Sequence, residues 1–95
     1  FIPNTFTPNE DGNNDFFRVR GEDIQRITLR VFDALGNQVY GTSNVEEATR
    51  GGWDGKIGGN LAPLGTYSWM IEGQFADGRA IEFNGKKIGV VTLIR

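Results

Sequence analysis

Between Thr66 and Phe75 the chain alternates: Tyr67, Trp69, Ile71 and Phe75 fall at odd positions against Thr66, Ser68, Glu72 and Gln74, with Gly73 the gap. Successive side chains of a strand point to opposite faces, so this pattern dictates a half-buried β-strand with one wet face. Two other stretches repeat it. Ile27, Leu29 and Val31 alternate with Thr28 and Arg30, while Phe17 and Val19 alternate with Arg18 and Arg20. The final run, Ile88 to Ile94, is apolar on both parities and predicts a strand covered on both faces.

Turn chemistry agrees with a β-rich chain. Asp33-Ala34-Leu35-Gly36-Asn37 reads as a type I turn closed by a glycine bulge, joining residues 24–33 to 37–41 as a hairpin. Asp77-Gly78 predicts a second hairpin turn before Arg79–Phe83, and Asn84-Gly85 supplies either a third or a bulge. Gly41 to Pro63 is the least regular stretch, because Gly51-Gly52, Gly55 and Gly58-Gly59 break any long strand. Residues 46–50 have room for one helical turn, too short to stand alone. About seven short strands at this spacing predict an all-β fold, an immunoglobulin-like antiparallel β-sandwich. At 95 residues the chain makes a single domain, 1–95, and its eleven aromatic residues supply much of one modest core.

The composition removes most catalytic chemistry. There is no His and no Cys, so the usual nucleophile–base pairs, zinc sites and disulfide frameworks are excluded, the cysteine-bridged antibody subtype among them. The remaining carboxylates, Glu46, Glu47, Asp54, Glu72, Asp77 and Glu82, sit in turns or on solvent faces with nothing to converge them on a cleft. A net charge of −2 is too balanced for binding nucleic acid or a membrane surface by charge alone. No apolar run approaches the roughly 20 residues that cross a bilayer. The chain begins at Phe1 rather than Met, which reads as a fragment of a longer protein whose targeting signal would lie elsewhere.

Three segments carry candidate binding chemistry. Asn9, Asp11, Asn13 and Asp15 place oxygen ligands at alternate positions, as a loop presents them to a hard cation such as calcium. The match weakens at both ends, where Thr7 replaces the first acid and Arg18 stands where a bidentate Glu should close the shell. The missing closing acid favours a network of Asx turns that stiffens the loop without metal. In Trp53-Asp54-Gly55, an exposed Trp beside a carboxylate would stack on a sugar ring. The favoured reading has Trp53 plug the sandwich edge while Asp54-Gly55 makes the turn. Lys86-Lys87 reads either as a docking contact for an acidic partner or as protection of an edge strand against aggregation.

Taken together, these residues resemble the gliding-motility-associated C-terminal domain, the type B sorting domain of the type IX secretion system of Bacteroidota. The resemblance rests on the opening run from Ile2 to Phe17 and on Leu29-Arg30-Val31-Phe32-Asp33-Ala34-Leu35-Gly36. It continues through Val39-Tyr40, Trp53-Asp54-Gly55 and Gly65-Thr66-Tyr67-Ser68-Trp69 to Gly89-Val90-Val91-Thr92-Leu93-Ile94-Arg95. Glu10, where Gly is usual, and Asn14 are the departures.

The resemblance implies a non-catalytic address label that ends a larger secreted or surface protein, with Arg95 its true end and cargo before Phe1. It would be read by the outer-membrane translocon and its adaptor proteins after periplasmic transit. The residues expected to be read are Asn9, Asp11 and Asp15 in the stiff loop, with Lys86 and Lys87 at the C-terminal strand. The competing expectation is an immunoglobulin-like adhesion or carbohydrate-binding module; a hydrolase fragment is a more distant one.

Overall fold

A computed structural model describes residues 5–8, 15–82 and 87–94. Its strands are β1 (Thr5–Phe6), β2 (Ile24–Phe32), β3 (Gln38–Thr42), β4 (Lys56–Ile57), β5 (Asn60–Leu61), β6 (Gly65–Phe75) and β7 (Ile88–Leu93). Five of them form one mixed sheet in the order β1-β7-β6-β2-β3, and β4 and β5 make a separate two-stranded hairpin.

The two longest strands are those with the strongest alternation. In β2 Ile27, Leu29 and Val31 are buried, as are Tyr67, Trp69 and Ile71 in β6, while Arg30 and Glu72 between them are exposed. Leu29 lies opposite Ile71 and Val31 opposite Trp69, so the two apolar sets share one face of the sheet. Val91 and Leu93 of β7 join that face, where Gly89 leaves the space that the Trp69 indole occupies.

The β2–β3 hairpin turns as its residues require. Gly36 has φ +85°, the Gly36 N–H donates to the Asp33 carbonyl at 3.1 Å, and the register shifts between Val31 and Phe32. Gly78, at φ +91°, makes the Asp77-Gly78 turn, with the Phe75 N–H donating to Arg79 at 2.9 Å. Among the described residues the return arm forms an isolated bridge between Gln74 and Ala80, and the Ile81 N–H donates to the Gly73 carbonyl at 3.1 Å, without a named strand. Asn84-Gly85 lies outside the described residues.

Three expectations are corrected. The sheet is not wholly antiparallel: β1 runs parallel to β7, with Thr5 opposite Thr92 and Phe6 opposite Leu93. A parallel pair needs a long crossover, and here nearly the whole domain is that crossover. Phe17 and Val19 both point into the core but form no strand. Phe17 bridges Trp53, and the Val19 N–H donates to the Ala48 carbonyl at 2.9 Å, so each backbone bond meets a different irregular partner. Finally, β7 is covered on one face only, since Ile88 is 58% exposed and Val90 60%.

Nor do the strands divide into two comparable sheets. The core face is closed by Phe6, Phe17, Val19, Ala48, Trp53, Ala62 and Ile81, from outside the three central strands. Ala48 comes from a π-helical turn, Glu47–Gly51, whose preceding Asn44 accepts the Glu47 N–H at 2.9 Å as a cap. Gly52 ends the turn at φ +95°; a Cβ there would sit 2.5 Å from the Phe17 carbonyl oxygen. Only glycine permits both that dihedral and that approach. The glycines between 51 and 59 thus give this stretch turns and the short β4–β5 hairpin rather than long strands.

Candidate functional site

An aromatic cluster anchors the irregular layer to the sheet. The Trp53 ring lies 5.5 Å from Phe6 and 5.0 Å, edge-on, from Tyr67, and Phe6 reaches Phe17 at 6.0 Å. Its Nε1 donates to the Lys56 carbonyl at 3.0 Å, and Asp54 accepts the Lys56 N–H at 3.0 Å, closing the turn that leads into β4. Trp53 is 2% exposed, so it cannot stack on a sugar. The plug reading of this residue holds, and the exposed-Trp expectation of a carbohydrate module does not.

Of the possible calcium ligands, Asn9, Asp11 and Asn13 lie outside the described residues; Asp15 is described and half-buried, immediately before Phe16 and Phe17. Among the described residues no group of three or more acidic side chains is placed to hold a metal ion. Arg18, at the position of the absent closing acid, has a different task. Its Nη1 donates to the Arg50 carbonyl at 2.9 Å, and its guanidinium lies 5.5 Å from the Phe16 ring centre. It ties the opening segment to the end of the helical turn, where carbonyls carry partial negative charge.

Lys86 also lies outside the described residues. Lys87 is exposed just before β7, and its carbonyl accepts the Ile71 N–H at 2.8 Å. The strand it leads into is not an edge strand throughout. β7 pairs with β6 along Ile88–Leu93 and with β1 at Thr92 and Leu93.

The polar chemistry that remains is structural. Among the described residues no polar or charged side chain is buried. Tyr40 Oη donates to Glu47 Oε1 at 3.0 Å, joining β3 to the helical turn; burial, followed by that bond, pushes the phenol well above its ordinary range. The Asn37 N–H holds the Asp33 carboxyl below its ordinary value of 3.8, and the Arg79 N–H does the same for Asp77. Both acids cap exposed turns. The hollows are open and shallow, one lined by Thr42, Asn44, Glu47 and Arg50, another by Arg20, Glu22, Asp23 and Thr49.

What the sequence reading missed is a face rather than a residue. Ile88 and Val90 in β7 lie opposite Met70 and Ser68 in β6, and those lie opposite Arg30 and Phe32 in β2. The signal was visible in the double parity of residues 88–94, but its meaning depended on whether anything covered the second face.

Fold and surface together define a small β-rich domain built on one mixed sheet. Its family model is the CHU_C Type IX secretion signal domain, which matches residues 1–91, and the chain belongs to that family. A comparison with curated proteins found no match.

Proposed function

We propose that this domain is a non-catalytic C-terminal sorting signal that carries an upstream cargo across the outer membrane, through the type IX translocon, to the cell surface or medium. The observation that carries the reading is the family match over residues 1–91. The host would be a gliding-type member of the Bacteroidota, and adaptor proteins would deliver the folded domain after periplasmic transit. The burial of Trp53 supports this reading over the carbohydrate-binding one.

The immunoglobulin-like description of the fold belongs to the same proposal. It is supported by Tyr67, a buried residue near the start of β6 whose hydroxyl donates to the Pro63 carbonyl at 2.6 Å. A tyrosine bonded back to the preceding corner is a hallmark of Greek-key sandwiches.

The surfaces proposed for recognition are the loop bearing Asn9, Asp11 and Asp15, and the approach to β7 at Lys86 and Lys87. A stiff loop loses little entropy on docking. Calcium at Asn9, Asp11, Asn13 and Asp15 is a separate proposal. A bound ion raises the melting midpoint in millimolar calcium relative to chelator, and an unchanged midpoint removes it.

The decisive experiment fuses residues 1–95 to a periplasmic reporter in a type IX-competent bacterium. Export to the surface is expected. Retention of a folded fusion, with its adaptors supplied, refutes the reading.

A further inference from the structure

The solvent face of the sheet is not a uniformly polar one. Two rows cross it: Arg30–Met70–Ile88 and Phe32–Ser68–Val90, each set by the pairing of β2, β6 and β7. Ile88 and Val90 are more than half exposed, and Met70 and Phe32 are half-buried. Elsewhere this face carries Thr28, Thr66 and Thr92, which suit a wet strand equally well. Phe32, Met70, Ile88 and Val90 therefore form an apolar patch beside the small Ser68. Contiguous apolar surface with a polar rim marks an interaction site.

Charge indicates what the face would receive. Arg26, Arg30 and Lys87 border it with Glu72 as their acidic neighbour, and Arg26, Glu72 and Lys87 line one hollow. Among the described residues none of the three cations forms an ion pair. This local excess of positive charge stands on a chain whose net charge is −2. On the β3 side Arg30 pairs with Gly41, over which the Gln38 side chain lies.

We propose that the solvent face of the sheet, centred on Met70 and bordered by Arg26, Arg30 and Lys87, docks a protein partner that presents apolar side chains flanked by carboxylates. Given the sorting-signal reading, on which this rests, that partner is a component of the export machinery. The apolar centre supplies the desolvated contact, and the cations steer the encounter and fix its orientation.

The test uses the same reporter fusion with Val90→Glu and, separately, Arg30→Glu. Leu61→Glu serves as control, placing an equal charge at an exposed apolar residue of β5, outside this sheet. A second variant, Ile88→Thr with Val90→Thr, keeps β-branched side chains if the glutamates disturb folding. Melting midpoints establish that each variant is folded.

Export of the wild-type fusion and of Leu61→Glu, with a fall of about tenfold or more in the face variants, supports the proposal. Normal export of folded face variants overturns the face and leaves the sorting function standing. An equal loss in Leu61→Glu also overturns it. Retention of the wild-type fusion overturns the sorting reading and this proposal with it. Sedimentation of the isolated chain gives an independent check: a dimer that Arg30→Glu dissociates would make the face a contact between copies, against the proposal.

Discussion

Trp53 joins the irregular layer to the sheet, and Trp53→Phe isolates what that joint contributes. The substitution keeps a ring for the contacts with Phe6 and Tyr67 but removes the Nε1 donor to Lys56 and the five-membered half of the indole. Losing the hydrogen bond costs about 1 kcal/mol, since the exposed Lys56 leaves its carbonyl able to turn to water. Emptying the space of roughly three ring atoms, at ~0.8 kcal/mol for each CH2-sized group, adds about 2.4 kcal/mol. The total of about 3 kcal/mol compares with about 5–15 kcal/mol for the stability of a typical domain, so the variant should still fold.

The assay is urea and thermal unfolding followed by circular dichroism. At about 4–8 °C per kcal/mol for a domain of this size, the midpoint should fall by about 12–24 °C. The urea slope should not change, because the same surface is exposed on unfolding. A loss below about 1 kcal/mol with an unchanged slope would refute the reasoning, since only an exposed indole is replaced so cheaply. The carbohydrate alternative predicts that pattern, together with lost saccharide binding.

Three further outcomes follow from single contacts. Gly89→Ala places a methyl against the Trp69 indole and should destabilise by about 1–3 kcal/mol in a urea melt, because a packed ring has little room to move. The raised Tyr40 phenol stabilises the fold below its ordinary pKa of 10, and that stability is lost as pH rises from there toward the folded value. Tyr40→Phe should flatten this alkaline limb, and the absorbance of tyrosinate should show one fewer hydroxyl titrating late. The lowered Asp33 and Asp77 act oppositely: their contribution is present above pH 3.8 and is lost as pH falls through the folded values. Asp33→Asn with Asp77→Asn should therefore reduce the acid slope of stability, leaving a smaller difference between pH 5 and pH 2 melts.

The parts of this fold that were legible in the sequence are those whose cause is local. β2, β6 and the Asp33–Asn37 turn each follow from residues within a few positions of one another, because alternation and φ > 0 at Gly36 are properties of a short segment. The orientation of Phe17 and Val19 was legible for the same reason, but their pairing was not. Pairing is decided by what lies opposite, and opposite them are a tryptophan turn and a helical turn. The parallel contact of Thr5 and Phe6 with Thr92 and Leu93 depends on almost the whole chain between them and leaves no local trace. The family resemblance was carried by the ordered motifs from Ile2 to Arg95 rather than by any one of them. The Met70 face was hidden because apolar residues on both parities fit two situations equally: a strand covered twice, or a strand covered once by its own fold and once by a partner. Burial separates them. Val91 and Leu93 are buried and account for what β7 contributes to the core, whereas Ile88 and Val90 gain only part of the transfer energy that full burial would give. The proposed docking face would give those two positions a reason to be apolar beyond the strand preference of β-branched residues.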